Sequence, residues 1–303
     1  MRIFTGEPQL KAISAGVHAF LQPDGGWCLN NAGLIVSEGG CVLVDTAATV
    51  ARARLLRAHA LEVAGAPPRL IVSTHAHGDH TFGNVVFPEA LVMGHEETRK
   101  EAERTGLHLT GLWPHVDWGD VEVVLPQLTF GGPVTLRLGA HEAELHSFGP
   151  AHSGCDTAVW LPRERVLFAG DLVMSGVTPF VLTGSVRGLR SAVTALRKLD
   201  PVTVVPGHGP VGGPELLDAT ERYLDWLAEL ARAGLARGLP PLEAARQADL
   251  GPFGDLLDSE RLAPNLHRAY DELRDDAGHT PAGVDQLFAE MVDLHGGLPE
   301  CHA

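Results

Sequence analysis

Short apolar runs rich in valine, leucine and isoleucine recur through the first two thirds of the chain, at 34–36, 41–44, 70–72, 91–93, 121–125, 134–138, 158–161, 166–168 and 202–205. Each has the length of a strand and is bounded by glycine, proline or charged residues. The segment 142–147 reads as a further strand. Residues 48–64 and 187–199 read as helices between strands, which predicts an α/β chain with two sheets. After PGHGP at 206–210 the pattern changes. In PELLDATERYLDWLAELARAG, Leu217, Thr220, Leu224, Leu227 and Ala231 recur at steps of three and four, the mark of a helix with one buried face. Shorter helices are expected at 241–248, 265–274 and 284–294. The division that follows is an α/β catalytic domain over 1–212 and a helical region over 213–303, packed on that domain or extending it.

Two segments echo each other. LIVSEGGCVLVDT (34–46) and VWLPRERVLFAGD (159–171) each read as strand, tight polar turn, second strand and closing aspartate, Asp45 and Asp171. Self-similarity of this kind is what an internal duplication leaves behind.

The stretch STHAHGDHTFGN at 73–84 follows the apolar run 70–72 and places His75, His77, Asp79 and His80 within six residues. Neutral imidazole and ionised carboxylate suit zinc, iron or manganese. In extended backbone His75, His77 and Asp79 would project to one side, and a bend near Gly78 would let His80 join them. Three further candidates stand just past expected strands, each beside glycine or proline: His152 in SFGPAHSGCDT, Asp171 closing VLFAGD, and His208 in VVPGHGP. A dinuclear hydrolytic site needs about six or seven protein donors. The set is large enough.

H-x-H-x-D-H, a downstream histidine, an aspartate and a final histidine in a G-H-G loop together resemble the metallo-β-lactamase superfamily, in its glyoxalase II-like dinuclear branch, over residues 15–212. The resemblance implies an αββα sandwich, here with a helical C-terminal extension. It implies one ion on His75, His77 and His152, a second on Asp79, His80 and His208, and Asp171 as the bridge. An aspartate at the bridge, where the antibiotic-hydrolysing branch has cysteine, points away from lactamase activity. GGWCLNNAGLIV (25–36), LTGLWPHVDWGDVEV (109–123), LFAGDLVMSGVTPF (167–180) and 239–270 look like the second-ring cyclase/thioesterases of bacterial aromatic polyketide pathways, of the actinorhodin cyclase type. That likeness implies aldol cyclisation and dehydration of an aromatic polyketide on an acyl carrier protein, with thioester hydrolysis.

Composition narrows the field. With 303 residues and 45% apolar content the chain can bury a sizeable core. A formal charge of -15 opposes nucleic acid and anionic membrane as partners. No apolar run approaches a membrane span, and the first twenty residues lack a charged-then-apolar leader, so a cytoplasmic location is expected. Cys28, Cys41, Cys155 and Cys301 form no C-x-x-C pair and read as free thiols.

Two cations, zinc first and iron or manganese as other occupants, would lower the pKa of water and polarise a carbonyl. Asp79 is the expected catalytic partner for the proton. Asp45 and Thr74 are placed to orient imidazoles by hydrogen bonding. The segment 106–120 reads as a wall over the metals, with Trp113, His115 and Trp118 facing an aromatic or polyketone substrate, and Trp27 and Phe180 in the same role. A carrier protein would need a basic patch, for which Arg99, Lys100 and Arg104, or Arg187, Arg190, Arg197 and Lys198, are the candidates. Two rivals stand beside the cyclase reading. One is a general hydrolase of small thioesters or lactones. The other is a di-iron redox or persulfide-handling protein, which would need a reactive thiol or an electron-transfer motif that the chain does not display.

Overall fold

The computed structural model describes residues 6–274 and 281–303. The start of the N-terminal segment read for a leader, and the DDAGHT stretch, lie outside the described residues. One sheet has seven strands in chain order: β1 (Gln9–Ser14), β2 (Val17–Leu21), β3 (Ala32–Ser37), β4 (Gly40–Val44), β5 (Leu70–Val72), β6 (Leu91–His95) and β7 (Leu128–Phe130). It is antiparallel from β1 to β4 and parallel from β4 to β7. The other runs in the order β12-β11-β10-β9-β8, from β8 (Val134–Leu138), β9 (His141–Phe148), β10 (Asp156–Leu161), β11 (Val166–Met174) and β12 (Thr203–His208). Only its β11–β12 pair is parallel. The described α-helices are α1 (Val50–Ala64), α2 (Gly78–Thr81), α3 (Glu96–Thr105), α4 (His108–Leu112), α5 (Val186–Arg197), α6 (Glu215–Ala236), α7 (Pro241–Arg246), α8 (Leu262–Arg274) and α9 (Val284–His295).

The two-residue period of the strands sets the layers. Val17, Ala19 and Leu21 of β2 and Ile35 of β3 enter the core between the sheets, against Val159, Phe168 and Val205, while Phe20 and Leu34 turn to the opposite face. That face is covered by α1 through Ala53, Leu56 and Ala60. On the far side Leu167 and Ala169 of β11 meet Leu189 and Val193 of α5 and Leu217, Leu224 and Leu227 of α6. Burying one such leucine contributes at most about 1.5–3 kcal/mol. The result is an αββα sandwich of two mixed sheets flanked by helices, with α8 and α9 as additional C-terminal helices; α8 packs against α6 and α7.

Two local expectations give way. The apolar segment 121–125 forms no strand: β6 pairs with β7 at 128–130, and Pro126, just before it, has no amide hydrogen to donate to a ladder. The motif at 73–84 is not extended throughout. It leaves β5 as a loop and enters α2 at Gly78, where the ring of Phe82 lies so close that a Cβ would sit 2.3 Å from its Cζ. Gly78 is needed for that contact. The two echoing segments are both hairpins, β3–β4 in one sheet and β10–β11 in the other.

Candidate metal centre

The chain turns into one region at the ends of β4, β5, β9 and β12, and there the candidate donors converge. The donor atoms of His75, His77, His152 and Asp171 lie within 4.8 Å of one another, as do those of Asp79, His80 and His208. His75 and His77 come from the loop after β5, Asp79 and His80 from the first turn of α2, His152 from the β9–β10 loop, Asp171 from within β11, and His208 from the end of β12. Asp171 stands between the groups: Oδ2 is 3.3 Å from His152 Nε2 and 3.6 Å from His208 Nε2, and Oδ1 is 3.2 Å from His80 Nε2. Asp79 Oδ2 is 3.3 Å from His208 Nε2.

The ring nitrogens that face away from this point are occupied by acceptors. His152 Nδ1 donates to the carbonyl of Phe180 at 2.7 Å, and His208 Nδ1 to that of Gly25 at 3.0 Å. His80 Nδ1 donates to Asp45 Oδ2 at 2.9 Å. His75 Nδ1 donates to the Thr74 hydroxyl at 2.9 Å, and that hydroxyl donates to Asp45 Oδ2 at 2.7 Å. Asp45 Oδ1 accepts from the Thr74 amide at 2.7 Å. These bonds leave Nε2 of His75, His80, His152 and His208 with its lone pair directed at the centre, the form a metal ligand requires.

The fit to cations is visible in what stays unsatisfied. His75 Nε2, His80 Nε2 and Asp171 Oδ1 are buried without a hydrogen-bond partner, and His152 Nε2 faces His77 Nδ1 at 3.0 Å. Groups so buried are normally paired. Burial holds His75 well below the usual imidazole range and pushes His152 down to about 3, so both are neutral donors. Burial opposes charge on His80, but Asp171, Asp79 and Asp45 outweigh it and raise its pKa well above the ordinary value. A field that favours a proton there favours a metal ion in its place. Nitrogen and oxygen donors of this kind serve zinc, iron and manganese alike. The residues fit a dinuclear metal centre.

Close packing holds the carboxylate at the middle. A Cβ on Gly207 would lie 1.9 Å from Asp171 Oδ1. The added Cβ would also lie 2.7 Å from the Gly170 carbonyl carbon and 2.8 Å from the Asp171 amide nitrogen, so the Gly207→Ala variant should displace Asp171 and weaken metal binding by about 10–100-fold. A competition titration against a chelator, beside a circular dichroism spectrum, checks this; wild-type affinity would show that the contact does not position the carboxylate. The His152 loop has its own anchor, Asp156, which accepts from the Ser153 amide and hydroxyl and whose carboxyl burial pushes up to about 7.

Over the centre opens a cavity of about 380 Å³. His77, Asp79, Asp171 and His208 border it, and Trp27, Trp113, Phe180 and Met174 wall it together with Phe288 and Met291 of α9. Trp113 is fully buried, packs on Trp27 and Phe288 at 5.2 and 5.3 Å between centroids, and donates to the Pro299 carbonyl. Two residues of the expected wall lie elsewhere. His115 is exposed and borders no part of the cavity. Trp118 packs against Phe82, donates to the Trp113 carbonyl, and its own carbonyl accepts from Val50 at the start of α1. Beyond Trp113 the chain leaves α4 and turns toward α1, which carries both away from the opening. The wall residues of α9, Arg261, and the carbonyls of Gly25 and Phe180 were not read from the sequence, and a carbonyl has no side-chain signature to read.

All four cysteines are free and buried. No helix among the described residues is long and apolar enough to cross a membrane. Residues 25–208 match the family model of the metallo-beta-lactamase superfamily. The linear primary-alkylsulfatase of Pseudomonas sp. (strain ATCC 19151) is 24% identical over 88% of this chain, which spans 56% of that protein's length. The hydroxyacylglutathione hydrolase of Anaeromyxobacter dehalogenans (strain 2CP-C) is 30% identical over 75% of this chain and 77% of its own. A metallo-beta-lactamase structure from Pontibacter korlensis superposes with a TM-score of 0.58 over 72% of this chain and 99% of that one, at 22% identity, a likeness of fold. With the family model matched over well over half of its length, the chain belongs to the metallo-beta-lactamase superfamily.

Proposed function

We propose that the protein is a metal-dependent hydrolase of small thioesters, esters or lactones with an apolar acyl portion. The observation that carries this is the cavity: a dinuclear donor set at its floor and an apolar, largely aromatic wall above it. The 30% identity to a protein named as a hydroxyacylglutathione hydrolase supports the same reading. His75, His77 and His152 would hold one ion and Asp79, His80 and His208 the other, with Asp171 between. Two ions bound there supply Lewis acidity, lowering the pKa of water and polarising the substrate carbonyl.

The remaining work falls to the protein. Asp79 borders the cavity, and although burial opposes its ionisation, His80 and His208 hold its carboxyl well below the usual range. It stays an acceptor, placed to take the proton of the attacking water and pass it to the leaving group. Trp27 and Phe180, backed by the fully buried Trp113, present apolar surfaces that orient the acyl group and exclude bulk water.

The metal-loaded protein should hydrolyse an aryl-acyl thioester or an aromatic lactone, lose that activity on chelation and regain it when a divalent metal is restored. Absence of turnover at full metal occupancy, measured across both substrate types, would sink the proposal.

The narrower reading, ring closure and release of a carrier-bound aromatic polyketide, draws on one observation, the aromatic wall. Its electrostatic side is weaker. Lys100 pairs with Glu97, Arg104 with Glu101, Arg187 with Glu272, Arg190 with Asp225, and Arg197 with Asp218 and Glu221. Arg99 donates to the Pro126 carbonyl. Six of the seven candidate cations, all but Lys198, are thus already engaged and offer little to an acidic carrier protein.

A further inference from the structure

Among the described residues, Arg261 is the one arginine or lysine buried in the cavity wall. It stands in the short turn Ser259–Arg261 ahead of α8, beyond the 25–208 family match, and is 2% exposed. Its guanidinium lies 4.1 Å from the ring centre of Trp27 and 5.3 Å from that of Phe180, both residues of the wall. Nη2 pairs with Asp258 Oδ2 at 2.7 Å, while Nη1 donates to the Thr178 carbonyl at 3.3 Å and to Met174 Sδ at 3.2 Å. Trp27 is held in turn by Glu260, which accepts from its Nε1 at 2.6 Å.

One buried nitrogen has no acceptor. Nε of Arg261 is buried without any hydrogen-bond partner. An unmade hydrogen bond at a buried charged group is destabilising, and an apolar residue of similar size would avoid it. The cavity bordered by Arg261 is also bordered by His77, Asp79, Asp171 and His208. The other cation on its border, Arg104, lies beside Glu101 and is largely exposed. A substrate oxygen reaching the aromatic part of the wall would meet few donors besides Arg261.

We propose that Arg261 is a specificity-determining residue, its guanidinium donating to an oxygen on the acyl part of the substrate, set apart from the carbonyl under attack. The substrates it selects are acyl groups with a second carbonyl or a carboxylate. The inference rests on the hydrolase reading for its substrate class. Stacking on Trp27 and Phe180 and the ion pair with Asp258 hold the guanidinium in place, so little side-chain freedom is lost when the substrate binds.

The test compares three N-acetylcysteamine thioesters on the metal-loaded full chain: 3-phenylpropionyl, benzoylacetyl with one added carbonyl, and phenylsuccinyl with an added carboxylate. At least one oxygenated compound is expected to exceed phenylpropionyl in kcat/KM by about tenfold to a hundredfold. Which one does so separates a neutral acceptor from an anionic one. In Arg261→Met the ratio should fall to near one, and in Arg261→Lys, which keeps charge but lacks the planar fork, it should fall in part. Equal losses on all three thioesters with the ratio preserved would assign Arg261 a structural role and overturn the proposal. A wild-type ratio near one overturns it without any variant, should the variants fail to fold. If no thioester is turned over, the hydrolase reading fails, and calorimetry with the same three compounds still decides Arg261: equal affinities overturn it.

Discussion

Asp171→Ala is expected to abolish binding of both ions. Its carboxylate stands within 3.2–3.8 Å of four imidazole Nε2 atoms belonging to the two donor groups, so its removal takes a neighbour from both. Lewis acidity contributes several kcal/mol to carbonyl hydrolysis, and each 1.4 kcal/mol is a factor of ten, so kcat/KM should fall by roughly a thousandfold or more. The rise in melting temperature on adding metal, which mass action gives any protein that binds ions only when folded, should vanish in the variant. Elemental analysis and a thermal melt with and without metal check both points. Retention of one ion at full occupancy would contradict the position given to Asp171.

Asp45→Asn should have the next largest effect, although Asp45 faces neither ion in the proposed assignment. Its Oδ2 accepts from His80 Nδ1 and from the Thr74 hydroxyl, and that hydroxyl accepts from His75 Nδ1. One carboxylate thereby sets the tautomer of a histidine in each donor group. An amide nitrogen in place of Oδ2 is a donor and would face two donors. His80 can accept it only by moving its own proton to Nε2, where the proton blocks a metal. Affinity for both ions is expected to fall by about 10–100-fold. Asn tolerates left-handed backbone nearly as well as Asp, so the φ of 61° at this position adds no new strain. Unchanged metal affinity in the variant would show that tautomer control is not exercised through Asp45.

Much of the sandwich was legible because its interior is apolar and alternates. β3, β4, β5, β10, β11 and β12 coincide with short valine, leucine and isoleucine runs, since strands covered on both faces leave little room for anything else. The edge strand β1 escaped notice: QLKAIS is half exposed and carries no such run. So did α3, EETRKEAERT, which buries only Thr98, Glu101 and Ala102. The run at 121–125 misled for the opposite reason, because Val124 packs on the outer core without pairing into a ladder.

The donors were readable one by one, since metal chemistry demands histidine and aspartate and the loops bearing them demand neighbouring glycine or proline. Their backbone was not. A helix of four residues, such as α2, is too short for a periodic pattern, so Asp79 and His80 were expected on a bent strand. Trp113 and Trp118 look alike in sequence, five residues apart, yet one walls the cavity and the other packs toward α1.

By itself the sequence determined the class of fold, the seven metal-capable side chains and the period of the core, because each of these follows from local composition and spacing. Tertiary structure alone decided which lone pairs face the donor cluster, through the carbonyls of Gly25 and Phe180 and the carboxylate of Asp45. It alone brought Phe288, Met291 and Arg261 to the cavity beside Trp27. The physical reason is that these contacts join segments as much as 264 residues apart (Met291 less Trp27). Burial and hydrogen-bond satisfaction are settled between such segments only when the whole chain packs, and no local pattern encodes the result.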